Sequence, residues 1–278
     1  MTLTWADFIA ALPLFRDPIL CAAVAGLALG YLGVFVVLRR MVFLTAVLTQ
    51  ASGMGVALGF FAGIHLGIEV PPALSAVGVA LLVAAVLSVD VRRLSLSPES
   101  VLAAVWLACS AGAILLGDRI TQEAHDIKAI LFGTAVLVRP EDLTAVLAVS
   151  GVVLVVGIAW RRGLVFVGFD PDGARVQGLP VATLELTLMV LITLTVAVTT
   201  RALGALPVFA FSVLPAVAAL MLTRRLSAVL VLAPILGLLS GVGGYMVAFF
   251  YSFPVGASQA GVAVALALLA APVRLIRR

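Results

Sequence analysis

Five arginine pairs divide the chain, at Arg39–Arg40, Arg92–Arg93, Arg161–Arg162, Arg224–Arg225 and Arg277–Arg278, and most of what lies between them is apolar. Each interval between pairs has room for two apolar runs of about 20 residues, the length of one helical membrane crossing. Hydrophobic residues make up 64% of the 278, and charged residues 11%, against roughly 45–50% and 25% in ordinary soluble domains. A water-soluble core of this length has no interior for that much apolar side chain, whereas a bilayer solvates it directly. The fold class that follows is an all-α integral membrane protein, with residues 1–278 forming a single transmembrane domain.

Marking apolar runs between charges and Pro/Gly breaks predicts about nine crossings, near 18–38, 42–64, 72–90, 100–117, 141–160, 182–202, 205–222, 227–250 and 256–275. Segment 128–138 is apolar but too short to cross, and reads as an interfacial or re-entrant helix in an outer loop over about 117–140. The arginine pairs close the first, third, fifth, seventh and ninth spans, so all five fall on one side. Cytoplasmic loops carry the excess of Lys and Arg. Placing that side in the cytoplasm puts 12 of the 17 basic residues inside. The N-terminus is then outside and the C-terminus cytoplasmic. The first residues, "MTLTWADFIAALPLFRD", show no basic n-region and no small-residue cleavage site, so a removable signal peptide is not expected.

Several function classes drop out. No basic stripe with interleaved aromatics suggests nucleic acid. No phosphate-binding glycine loop, H-E-x-x-H or defensible Ser/His/Asp spacing suggests an enzyme, and no bound cofactor is implied. Cys21 and Cys109 lie in separate apolar runs and read as buried small hydrophobes. Glu185 lies about one turn into the sixth span and is expected to reach back to the inner interface rather than act at depth. His65 stands at the outer edge of the second span. His125 stands in the outer loop beside Asp126, with Glu123 and Asp118 near, a group suited to attracting a cation or a basic partner. For each histidine the plain alternative is a solvated side chain.

The stretch "FLTAVLTQASGMGVALG" is unusually polar and small for the middle of a span. At about 100° per residue, Thr45, Thr49 and Ser52 share a narrow face, Ala51, Gly55 and Gly59 form a ridge beside it, and Gln50 lies a quarter turn from Thr49. Small ridges let helices approach closely, with hydroxyls bonding across the contact. Similar ridges occur at Gly26, Gly30 and Gly33 and at Gly237, Gly241 and Gly244. Two readings stand: helix packing, and a translocation pathway lined by Thr45, Thr49, Gln50 and Ser52. The second rests on Gln50, whose amide needs protein or water to satisfy it.

The inner loop at 168–181 carries "FDPDGARVQGLPV". Asp170 or Asp172 supplies a helix start, Pro171 suits a first helical position, and Gly178 ends the helix before Pro180. A short capped helix on the cytoplasmic surface suits docking into a groove on a soluble subunit, and an ordinary interfacial connector is the alternative.

That loop, with "ILFGTAVLVRPEDL" before it and "GALPVFAFSVLPAVAALMLTRRL" after it, resembles the permease subunits of bacterial ABC importers for zinc and manganese. "GYLGVFVVLRRMVFL" and "QASGMGVALG" extend the resemblance from the first span to the eighth. The resemblance implies the metal and cobalamin importer permease fold in the bacterial inner membrane and a second permease copy or paralogue. It also implies an extracytoplasmic substrate-binding protein and a separate ATPase that uses the ATP. Carried onto this chain, coupling to that ATPase falls on Asp170, Ala174, Gly178 and Leu179. In the family an Asp and, four residues on, a His in the second span offer metal ligands, and here those positions hold Ala46 and Gln50. The loop before the last span, "YSFPVGASQ", also lacks the family's acidic residue. The expected function is a permease for a divalent metal ion. The alternatives are a permease for a metal chelate, cofactor or other small organic solute, and a non-transporting scaffold or sensor on the same fold.

Overall fold

A computed structural model describes residues 4–88, 97–120 and 138–276, with side chains to Arg274. Eleven helices occur among them: α1 Trp5–Leu38, α2 Val42–Leu66, α3 Pro72–Leu87, α4 Pro98–Asp118, α5 Pro140–Ala159, α6 Arg161–Phe169, α7 Pro171–Val176, α8 Val181–Leu203, α9 Ala205–Leu222, α10 Leu226–Tyr251 and α11 Val255–Ile276. Eight are long and apolar enough to cross a membrane. The third expected span, α3, is apolar but has only 16 residues, about 24 Å against a hydrocarbon core of about 30 Å.

The first span is longer than the sequence predicts. Helix α1 begins at Trp5, where a capping box closes its first turn: Thr4 accepts from the Asp7 amide and Asp7 accepts from the Thr4 amide at 2.8 Å. Pro13 and Pro18 read as breaks, yet both lie inside the helix. Within a membrane bundle, neighbouring helices and local adjustments satisfy the backbone groups that a proline leaves unpaired. Here Trp5 and Phe8 pack on Phe250 and Phe249 of α10, at ring separations of 4.9 and 5.1 Å.

Small residues set the closest helix contacts. Gly26 of α1 faces Gly237 of α10 backbone to backbone, and a Cβ on either would overlap the other's carbonyl oxygen. A Cβ on Gly241 would lie 2.6 Å from the Ala22 oxygen. Gly26 and Gly30 of α1 thus meet α10 along one seam at Gly237 and Ala233, while Gly33 meets Ser212 of α9 and Gly244 meets Gln259 of α11. The ridge on α2 serves a different neighbour, with Gly55 and Gly59 against Ser75 of α3.

Arg39, Arg161, Arg162, Arg224, Arg225 and Arg274 collect at one end of the bundle, in two adjoining surface clefts and around the start of α8. Helix α1 stops there in a Schellman motif: the Met41 amide donates to the Val36 carbonyl at 2.8 Å and the Arg40 amide to that of Val37 at 3.1 Å. Arg40 takes the left-handed position, φ 57°, that glycine usually fills. Arg92–Arg93 and Arg277–Arg278 lie outside the described residues. The same holds for His125 and for most of the outer segment 117–140, including its expected short helix.

At the opposite end Arg201 of α8 reaches the start of α5. Its Nε lies 3.1 Å from Asp142 Oδ1 and its Nη2 3.4 Å from Glu141 Oε1.

Candidate translocation cleft

The polar face of α2 divides between two surroundings. Thr45 and Ser52 are buried in helix contacts: Ser212 Oγ of α9 lies 3.2 Å from Thr45 Oγ1, and Ser52 donates to the Ala197 carbonyl of α8 at 3.0 Å. Thr45 and Thr49 also donate to the carbonyls three residues back, Val42 and Ala46, each at 2.8 Å. Intramembrane hydroxyls commonly settle in this way.

Gln50 is different. It is half-buried, and its amide makes no hydrogen bond among the described residues. With Ala46 and Thr49 it lines a cleft of about 410 Å³, walled by Phe43, Trp106 of α4 and Phe209 of α9. Of the four residues expected to line a pathway, the structure brings half-buried Gln50 and the buried Thr49 to one cleft and leaves Thr45 and Ser52 inside the packing. The aromatic walls were not foreseen, because Trp106 and Phe209 come from helices whose pairing with α2 no local pattern encodes.

The donor set of this cleft is one amide and one hydroxyl, and the hydroxyl is already bonded to backbone. Among the described residues no group of three or more His, Cys, Asp or Glu is placed to hold a metal ion. His65 lies elsewhere, at the end of α2, stacked on Phe61 at 4.4 Å. An amide oxygen is a weak neutral ligand for a divalent metal beside a carboxylate or imidazole.

At the basic end the loop helix forms as its residues predict. Asp170 caps α7 by accepting from the Gly173 amide at 2.8 Å. The other end closes in a Schellman motif, with the Gly178 amide donating to the Arg175 carbonyl and the Leu179 amide to that of Ala174, both at 3.0 Å. Gly178 has φ 77°, a conformation strained for any residue with a Cβ. Ala174 is fully buried beneath the helix, while Val176 is 88% exposed and Phe169 is also exposed.

Two features here were not anticipated. The nine-residue helix α6, buried through Leu164 and Val167, precedes α7. Its signal was present, an apolar pair three residues apart after Arg161–Arg162, but the arginines read as the end of a span. The second is a clamp: Arg39 Nη2 donates to Glu185 Oε1 at 2.8 Å and to the Val167 carbonyl at 3.3 Å, joining α1, α6 and α8. Glu185 therefore sits at the basic end, where its reach to the interface was expected.

A model of the ABC 3 transport family matches residues 12–274. The chain is 28% identical over 255 residues to the manganese transport system membrane protein MntC of Halalkalibacterium halodurans, covering 92% of this chain and 85% of that one. It is 28% identical to the chelated iron transport system membrane protein YfeD of Yersinia pestis, over 86% of this chain and 78% of that one. Among solved structures, PsaBC from Streptococcus pneumoniae in complex with Fab superposes with a TM-score of 0.83 at 24% identity, covering 98% of each chain.

Proposed function

This chain belongs to the ABC 3 transport family, and from that premise we propose that it is the permease subunit of an importer that moves a divalent metal ion, zinc or manganese, into the cytoplasm. The observation that carries this reading is the family match over residues 12–274, nearly the whole chain. Its similarity to a manganese transport system membrane protein and to a high-affinity zinc uptake system membrane protein supports the choice of cargo. The chain sits in the bacterial inner membrane with its basic end inside. ATP is hydrolysed on a separate subunit, an extracytoplasmic protein delivers the cargo, and a second copy or paralogue completes the permease.

Coupling falls on α7. Its two caps make six residues rigid, and exposed Val176 and Phe169 offer an apolar contact to a soluble partner. Asp170→Ala removes a cap worth about 1 kcal/mol, and Gly178→Val forces a β-branched residue into the left-handed region at about 1–3 kcal/mol. Each change is expected to lower the ATPase recovered with the affinity-purified chain by roughly tenfold while the yield of the chain holds. Undiminished recovery in both variants would remove α7 from this role.

The test of cargo is the elemental content of the native host, with and without the gene, under zinc and then manganese starvation. A selective fall in one metal that the gene restores is the expected result. A second reading, a chelated metal or organic solute, is favoured by the cleft itself, where aromatic walls and a free amide replace charged ligands. It predicts no change with free ions and uptake only of the complexed form.

A further inference from the structure

We infer that the groove between α1, α5 and α10 is a binding site for an anionic phospholipid, with one acyl chain in the groove and the phosphate on Arg161 and Arg162. The groove encloses about 520 Å³ and is lined by Leu27, Tyr31, Leu147, Leu154 and Val231, with Arg161 at one end. Its floor on α5 runs from Leu147 to Ile158, about 17 Å along the helix axis. That is close to the depth of one leaflet, half of a hydrocarbon core of about 30 Å.

A second hollow of about 270 Å³ shares Arg161 and Leu230 with the groove and adds Arg162 and the Ser227 hydroxyl. An apolar slot thus opens into a basic cup at the basic end of the bundle. Neither arginine has an acidic partner among the described residues. Trp160, half-exposed beside the cup, is the kind of residue that anchors at headgroup level. A basic pocket between transmembrane helices on the cytoplasmic side favours a phospholipid of net negative charge over one whose phosphodiester is balanced by its own cationic headgroup. None of the lining residues belongs to α2 or α4, so the site is separate from the Gln50 cleft and does not depend on what that cleft carries.

The test is native mass spectrometry of the full chain, delipidated in detergent and titrated with phosphatidylglycerol or phosphatidylcholine. One phosphatidylglycerol per chain is expected to remain bound where phosphatidylcholine is lost. Arg161→Gln with Arg162→Gln should weaken that binding roughly 10- to 30-fold. Gly151→Phe offers a second variant: a Cβ at Gly151 meets nothing within 4 Å, so the ring fills the acyl path without disturbing the helices and should abolish the adduct. Equal retention of the two lipids, or an unchanged preference in the arginine variant, would overturn the site. So would a dimer peak lost in Gly151→Phe with no lipid adduct in the parent, which would assign the groove to a second copy.

Discussion

Gly237→Leu is expected to open the seam between α1 and α10 and to cost about 3 kcal/mol or more. Overpacking within a core ordinarily costs 1–3 kcal/mol because neighbouring side chains rotate away. Here the obstruction is the backbone of Gly26, which cannot rotate away. The readout is at hand, because Cys21 lies one residue from Ala22, the partner of Gly241, and is fully buried. In a Cys109→Ala background, Cys21 is expected to react with a maleimide at least about tenfold faster in the Gly237→Leu chain. Gly261→Ala, with nothing within 4 Å of its Cβ position, is the control and should be neutral or slightly stabilising. Unaltered labelling with an intact fold would mean that the two helices part readily and that the seam is not a fixed contact.

Asp142→Ala should be nearly as damaging. The Arg201 side chain is 10% exposed and that of Asp142 11%, whereas Glu141, the other acid within reach, is 67% exposed. Removing one partner of a buried pair leaves a desolvated charge, at about 3–5 kcal/mol, and the more exposed Glu141 can take up only part of that. An expected loss of about 3 kcal/mol for Asp142→Ala stands against less than about 1 kcal/mol for Glu141→Ala. Unfolding in detergent with increasing denaturant checks both. Equal losses would show that the two carboxylates share Arg201 evenly, against the geometry.

The apolar runs and arginine pairs made the bundle readable from the sequence, because length and charge are local properties that a bilayer sorts directly. The caps of α7 were readable for the same reason: Asp170, Pro171 and Gly178 act within a few residues of themselves. What the sequence did not display is pairing. Gly26 and Gly237 each announce a tight contact, but nothing local says that they meet each other. The residues expected to line a pathway show the same limit. A helical wheel puts Gln50 a quarter turn from Thr49, yet only the positions of α8 and α9 decide that Thr45 and Ser52 are packed while Gln50 is left open. Prolines misled at the N-terminus, since Pro13 and Pro18 interrupt an isolated helix and not one held against α10.

In mechanical terms the Arg39 guanidinium is a shared joint. It holds the end of α1, the α6 carbonyl at Val167 and the start of α8 through one nitrogen. Immediately beyond it the chain turns through Arg40 and Met41 into α2, leaving no slack between the joint and the stretch that bears Ala46 and Gln50. The Val167 carbonyl of α6 and the first turn of α2 are therefore separated by one bonded side chain and a three-residue corner, Arg39 to Met41.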